Sequence, residues 1–127
     1  MERPIVYIVS ADAAVRDSAK QLIEAVGLPA RTFAFLSAFL DAVTPGHHGC
    51  LVLDVYKGDL GDAQQQARLA TACTRMPGIL IVDRGDVQMA VEAVKAGAME
   101  VMQKPYRDEN LLGSIKHALE ADATAHS

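Results

Sequence analysis

The sequence predicts an α/β fold in which a doubly wound sheet of five parallel strands is covered by five helices. Short apolar runs alternate along the chain with longer stretches whose apolar residues recur at helical spacing. The runs are apolar almost throughout, which is typical of strands that are buried on both faces of a parallel sheet. Only short links separate the elements, so right-handed crossovers are expected to place helices on both sides of the sheet.

The first half of the chain is expected to supply two strands and two helices. The β-branched run Ile5–Val9 forms the first strand, and Asp12 caps a helix that Gly27 ends. Residues 30–34 form a short second strand, and Ser37 caps a short second helix. The apolar positions expected to face the core are Val15, Ala19, Leu22, Ile23 and Val26 on the first helix, and Phe39, Leu40 and Val43 on the second.

The second half is expected to supply three strands and three helices. Residues 50–55 form the central strand, and residues 79–82 and 98–102 form the fourth and fifth strands. The helical pattern within residues 57–76 is the weakest of the chain, whereas Asp86 caps a clearly amphipathic helix. The positions expected to face inward on the last three helices are Leu60, Ala63, Ala67, Leu69 and Ala70, then Val87, Ala90, Val91 and Val94, then Leu111, Leu112, Ile115, Ala118 and Leu119.

Length and composition indicate one ordinary globular domain. The chain has 127 residues, of which 50% are apolar and 22% charged, and its net charge is −4. Residues 1–122 are expected to form the domain and residues 123–127 a frayed polar tail. Because the sequence has no basic cluster, membrane span or signal-peptide segment, we expect a soluble, cytoplasmic protein that does not bind nucleic acid directly. Cys50 and Cys73 lack metal-ligand spacing and are expected to be buried, reduced thiols.

Asp54 is unusual because it lies within the most apolar run of the chain. A carboxylate in mid-core is costly, so Asp54 is expected at the carboxyl end of its strand, where open parallel sheets bind ligands. On its own, Asp54 could equally be a turn former or a helix cap. The same sheet edge is expected to gather residues 10–12, Val82, Asp83 and Lys104. A carboxylate and an ammonium from distant parts of the chain favour a functional site there, and the alternative is a plain ion pair between strand ends.

A resemblance to a known family is carried by the segments IVYIV, VRDS, CLVLD, RGDVQMAVEAVKAGAME and the Lys104–Pro105 pair. Over nearly its whole length, the chain resembles the receiver domain of two-component response regulators. The resemblance implies a flavodoxin-like fold and a signalling module rather than an enzyme. By position, Asp54 matches the aspartate that accepts a phosphoryl group from a histidine kinase, and Lys104 matches the lysine that contacts the phosphoryl oxygens. The resemblance also implies a cis peptide bond before Pro105.

The chain departs from the family pattern at the positions that would hold a metal ion. Family members have an acidic pair directly after the first strand that helps to hold Mg²⁺, and Ser10 and Ala11 stand there instead. Only Asp12 and Asp54 remain as candidate metal ligands. The Mg²⁺ site is therefore expected to be weak or absent, and no cofactor is expected. The alternative role of Asp12, as a helix cap, is favoured over metal binding.

The switch positions of the family also differ. Val82 replaces the Thr or Ser that bonds the phosphoryl group, and Asp83 brings a negative charge beside it, either towards the crevice or into solvent. Val101 replaces the aromatic ring that changes rotamer in the family. Gly58 replaces the usual loop proline, and a more mobile loop is expected there.

These observations favour a degenerate receiver that acts as a protein-interaction module in signalling. The alternative is a conventional phosphoacceptor that is modified at Asp54, and a third hypothesis, a flavin- or nucleotide-binding module, lacks a glycine-rich phosphate loop. The partners implied by the resemblance are a histidine kinase or an output protein, and a homodimer is a further possibility. The residues expected on the partner face are Gln88, Glu92, Lys95, Tyr106 and Arg107.

Overall fold

Within residues 3–56 and 60–125, which the computed structural model describes, five strands alternate with five helices. All neighbouring strands run parallel, in the order second, first, third, fourth, fifth across the sheet. The predicted α/β class is therefore confirmed. The strands are β1 Ile5–Val9, β2 Ala30–Phe33, β3 Gly49–Asp54, β4 Gly78–Val82 and β5 Glu100–Gln103, and the helices are α1 Ala13–Ala25, α2 Leu36–Ala42, α3 Ala63–Arg75, α4 Val87–Lys95 and α5 Asp108–Ala125.

The core has two layers, one on each face of the sheet. Successive side chains of a strand point to opposite faces, so Tyr7 and Val9 of β1 pack in one layer while Val6 and Ile8 pack in the other. The first layer joins α2, α3 and α4 to the sheet, and the second joins α1 and α5. Every residue of β3 is buried, which confirms its prediction as the central strand.

The helix α4 turns a different face to the sheet from the one that the sequence predicts. Met89 and Ala93 are buried, whereas Val87, Val91 and Val94 are 70%, 43% and 63% exposed. Both sets recur at helical spacing, so periodicity alone does not choose between them. The buried stripe combines one flexible and one small side chain, which lets the helix lie close to the sheet. The valine stripe is left on the surface.

Two other helices also differ from the prediction in their details. The helix α2 begins at the residue before Ser37, and no side chain caps it, so the predicted cap is wrong. The helix α3 begins at Ala63, where Asp62 caps it by accepting a hydrogen bond from the backbone N–H of Gln65. It buries Leu69 and, one turn later, an alanine that the prediction omits. Small residues on several faces of α3 explain why its apolar stripe was hard to locate.

The last helix extends further than the sequence predicts. The expected polar tail begins at residue 123, but α5 continues to Ala125. Asp122 is buried, and its Oδ2 accepts a hydrogen bond of 2.9 Å from the backbone N–H of Gly49 at the start of β3. The same oxygen lies 3.8 Å from Nδ1 of His48. A buried carboxylate with these partners holds the last turns of α5 against the sheet.

No helix among residues 3–56 and 60–125 is both long and apolar enough to cross a membrane.

Gly49 has no room for a side chain. Its φ angle is +146°, and a Cβ atom built there would lie 1.9 Å from the carbonyl oxygen of Ile5 on the neighbouring strand. The contact is with backbone, so it cannot be relieved by a change of rotamer. Glycine is therefore required where β3 enters the sheet beside β1.

We predict that Gly49→Ala lowers the free energy of unfolding by about 2 kcal/mol or more, because backbone strain and overpacking act together. Gly46→Ala is the matched control, since no atom lies within 4 Å of the position that its Cβ would take and the φ of Gly46 is not positive. Chemical denaturation of both variants measures the difference. Equal stability of the two variants would contradict the close approach of β1 and β3 at Gly49.

Candidate functional site

The carboxyl edge of the sheet brings Ser10, Asp54 and Lys104 together. Parallel pairing places Val9 beside Leu53, so the residues that follow β1 and end β3 lie side by side. Lys104 follows β5, and its backbone N–H donates to the carbonyl of Val82, which continues the pairing of β4 and β5. The Lys104–Pro105 peptide bond is cis.

Both oxygens of the Asp54 carboxylate face donors from this chain. Asp54 is only 5% exposed. Its Oδ2 accepts hydrogen bonds from the hydroxyl of Ser10 at 2.9 Å and from the hydroxyl of Tyr56 at 2.7 Å. Its Oδ1 lies 2.7 Å from Nζ of Lys104. A buried carboxylate needs such partners, because an uncompensated charge in the interior is strongly destabilising.

Lys104 lies at the centre of a small charged and aromatic cluster. Its Nζ is 4.4 Å from the centre of the Tyr56 ring and 3.6 Å from Oδ1 of Asp83, whose side chain is half-exposed. Asp83 therefore faces the crevice rather than only solvent. Together Asp54, Tyr56 and Asp83 surround the ammonium with a carboxylate, an aromatic face and a second, weaker anionic contact.

The cluster stabilises the protonated forms of both Lys104 and Tyr56. Partial burial of Lys104 lowers its pKa, but the hydrogen bond and charge of Asp54, with smaller effects of Tyr56 and Asp83, outweigh burial and raise the pKa above its ordinary value. The hydrogen bond to Asp54, followed by burial, raises the pKa of Tyr56. At neutral pH the site therefore contains an ammonium and a phenolic O–H, both directed at one carboxylate.

Ser10 is held in place by the start of α1. It is buried, and its hydroxyl oxygen accepts a hydrogen bond of 3.2 Å from the backbone N–H of Asp12. Arg16 reaches back from the first turn of α1 and donates from Nη1 to the carbonyl oxygen of Ser10 at 2.7 Å. These contacts fix the position of the hydroxyl that donates to Asp54, so Ser10 is part of the site.

The donor set at this edge does not suit Mg²⁺. Asp12 is exposed, and its Oδ1 accepts a hydrogen bond of 2.9 Å from the backbone N–H of Ala14, so it acts as the cap of α1. In the described part of the chain, no three His, Cys, Asp or Glu side chains are placed to hold a metal ion. Mg²⁺ needs several oxygen ligands in octahedral geometry, but a hydroxyl and a methyl group stand where the family has two carboxylates.

The two expected switch positions lie in the core layer of α2, α3 and α4. Val82 is fully buried at the end of β4, and Val101 of β5 is half-buried against the same layer. Neither side chain has a hydrogen-bond donor. Gly58, which was expected to loosen the following loop, lies outside the described residues.

The residues expected on the partner face come from α4 and from the segment between β5 and α5. Gln88 and Glu92 lie together on α4, where the side-chain amide of Gln88 donates to Glu92 at 3.0 Å. Lys95, at the end of α4, and Arg107, before α5, are exposed. Tyr106 is half-buried against the layer of α1 and α5, on the other face of the sheet from the core layer of α4.

Sequence reasoning missed Tyr56 and Arg16. Tyr56 lies two residues after Asp54, at the sheet edge already singled out, so its hydroxyl and position were a usable signal. Arg16 gave no such signal, because only the course of α1 shows that its long side chain reaches back to Ser10.

Comparisons with known proteins agree with this fold. The family model of the response regulator receiver domain matches residues 6–116. The chain is 39% identical over 118 residues to the response regulator protein TmoT of Ectopseudomonas mendocina, covering 93% of this chain and 54% of that protein. It is 34% identical over 123 residues to the transcriptional regulatory protein FixJ of Bradyrhizobium diazoefficiens, covering 96% of this chain and 60% of that protein. The chain spans about half the length of the curated relatives it matches.

Solved structures of related proteins show the same architecture. The response regulator StyR superposes with a TM-score of 0.83 at 35% identity, over 98% of this chain and 63% of that chain. The structure described as FixJ-N superposes with a TM-score of 0.80 at 32% identity, over 94% of this chain and 96% of that chain. Because the family model matches residues 6–116, this chain belongs to the response regulator receiver domain family.

Proposed function

We propose that this receiver domain works in two-component signalling with lost or weakened Mg²⁺-dependent phosphorylation, and that it acts mainly as a protein-interaction module. The observation that carries the proposal is the state of Asp54. One of its oxygens faces the Lys104 ammonium and the other accepts two hydroxyl hydrogen bonds. The carboxylate is thus stabilised by its own chain and does not depend on a bound cation.

Phosphorylation of Asp54 would be unfavourable in this arrangement for two reasons. Attack on phosphorus by an oxygen of Asp54 would compete with the hydrogen bonds or the ion pair that stabilise the carboxylate. The negative charge of the transferring group must also be neutralised, and Lys104 is the one cation close to the carboxylate among the described contacts. With Ser10 and Ala11 in place of an acidic pair, no second cation is recruited to share that charge.

The competing function is a conventional phosphoacceptor. Its support is that the nucleophile and the lysine are both present and 2.7 Å apart. In that case Asp12 would have to leave its capping position and serve as a metal ligand. Loss of the cap would lower the free energy of unfolding by about 1 kcal/mol.

We also propose that the partner contacts of the domain lie on α4, and that a second copy of the chain binds there. The stripe Val87, Val91 and Val94 is apolar and exposed, and Met99 beyond the helix is 40% exposed. A surface stripe of this kind is typical of an interaction site. Glu92 and Lys95 provide opposite charges on the same helix, which suits a two-fold interface in which each copy presents the same patch. A histidine kinase or an output protein in the cytoplasm is the proposed heterologous partner.

We predict that the wild-type protein is labelled slowly by acetyl phosphate in the presence of Mg²⁺, and that the double variant Ser10→Asp/Ala11→Asp is labelled at least about tenfold faster, because restored carboxylates bring a metal charge to the site. Intact-protein mass spectrometry measures the rate, and Asp54→Asn identifies the modified residue.

The matched control adds the same two charges nearby, but outside the site. Ala13→Asp/Ala14→Asp places them on the exposed first turn of α1, and its rate should equal that of the wild type. Rapid Mg²⁺-dependent labelling of wild-type Asp54 would instead establish the conventional phosphoacceptor.

We predict that the protein dimerises with increasing concentration and that Val91→Asp/Val94→Asp weakens dimerisation at least about tenfold, because a carboxylate buried in an apolar contact is costly. Sedimentation equilibrium measures the dissociation constant. Val26→Asp is the control, since Val26 is similarly exposed, at 53%, but follows α1. A protein that stays monomeric, or a Val26→Asp variant that is weakened equally, would count against the α4 interface.

A further inference from the structure

Tyr56 is the one aromatic side chain that contacts both members of the Asp54–Lys104 pair in the described structure. Its hydroxyl donates to Oδ2 of Asp54 at 2.7 Å, and its ring centre lies 4.4 Å from Nζ of Lys104. Tyr56 itself is half-buried, whereas Asp54 is buried. The ring and hydroxyl therefore lie at the boundary between the carboxylate and solvent.

We propose that Tyr56 is a cap on Asp54 whose hydroxyl occupies a position on Oδ2 that would otherwise be open to an incoming electrophile or cation. Tyr56 thereby sets how readily this aspartate can be modified. It is a positioning residue, because it acts through the carboxylate of Asp54 and does not itself react.

The hydroxyl and the ring have separable effects. The hydroxyl withdraws electron density from Oδ2 by hydrogen bonding, which makes the carboxylate a weaker nucleophile. The ring contacts the ammonium through its face, which favours the lysine position that pairs with Oδ1. Ser10 donates to the same oxygen, but its hydroxyl is buried and is fixed by the backbone N–H of Asp12. Of the two hydroxyl donors, Tyr56 is the one on the solvent side.

This proposal rests on the proposed function, because both assume that donors from this chain stabilise Asp54. It further identifies Tyr56 as the donor that controls access to the Asp54 carboxylate. The reaction that the cap would slow is attack of a carboxylate oxygen on the phosphorus of acetyl phosphate. A new O–P bond forms as the bond from phosphorus to the acetyl oxygen breaks, acetate leaves, and Asp54 becomes an acyl phosphate.

A first experiment asks whether the hydroxyl contact exists in solution. The ring resonances of Tyr56, assigned with Tyr56→Phe, are examined by NMR for nuclear Overhauser contacts to the side-chain protons of Asp54 and Lys104. Both contacts are expected, because the hydroxyl lies 2.7 Å from Oδ2 of Asp54 and the ring centre lies 4.4 Å from Nζ of Lys104. The absence of both contacts would overturn the inference.

A second experiment asks whether the contact controls reactivity. Labelling by acetyl phosphate with Mg²⁺ is compared in Ser10→Asp/Ala11→Asp and in the same double variant carrying Tyr56→Phe. Loss of one hydrogen bond to a charged group predicts a labelling rate about tenfold faster with Phe at position 56. Tyr7→Phe in the same background is the matched control, because its ring packs against Phe33 and Phe39 in the core. Its rate should not change.

The outcomes separate the two proposals. Rapid labelling of the wild type overturns the proposed function. Slow labelling of the wild type with no gain from Tyr56→Phe, whether or not the double variant reacts, overturns the cap and leaves the proposed function standing. A similar gain from Tyr7→Phe would also overturn the cap, because the effect would then be general to the removal of any tyrosine hydroxyl.

Discussion

The ion pair between Asp54 and Lys104 is the constraint on which the site depends. A carboxylate that is 5% exposed would destabilise the fold unless a positive charge or several donors compensated for it. Lys104 provides the charge, and Ser10 and Tyr56 provide two hydroxyl donors to the other oxygen. The result, at the edge of an apolar sheet, is a carboxylate with Oδ1 in an ion pair and Oδ2 accepting two hydrogen bonds. Such an arrangement stabilises the carboxylate without a metal ion, and this is the basis of the proposal that its phosphorylation is lost or weakened.

The rest of the chain positions this pair. The apolar strand β3 must run through the middle of the sheet for Asp54 to reach the edge, and Gly49 allows β3 to enter against β1. At the opposite end of the sheet, Asp122 holds the last turns of α5 to the start of β3. A buried carboxylate therefore serves each end of the central strand. Asp54 faces the Lys104 ammonium, and Asp122 accepts a hydrogen bond from the backbone N–H of Gly49.

The sequence predicted the fold well because strand alternation, caps and glycine stops are local signals. It placed Asp54 and Lys104 at one edge because parallel topology brings strand ends together. The predicted buried face of α4 was wrong, because two sets of residues recur at helical spacing. The valine stripe of α4 fits that spacing as well as Met89 and Ala93 do. Sequence reasoning also missed Tyr56 and Arg16, since their contacts depend on side-chain reach rather than on spacing. The end of α5 was placed too early, because the polar residues after position 122 resemble a solvated tail.

The most direct test of the internal pairing of Asp54 is an NMR titration of the unmodified protein with Mg²⁺, following the backbone amides of Asp54, Val55 and Lys104. We expect that these amides do not shift in a saturable way at millimolar Mg²⁺, because both oxygens of Asp54 are already engaged by this chain. Saturable shifts centred on these residues would show that the carboxylate exchanges its internal donors for a cation, and would contradict a site that is complete without one.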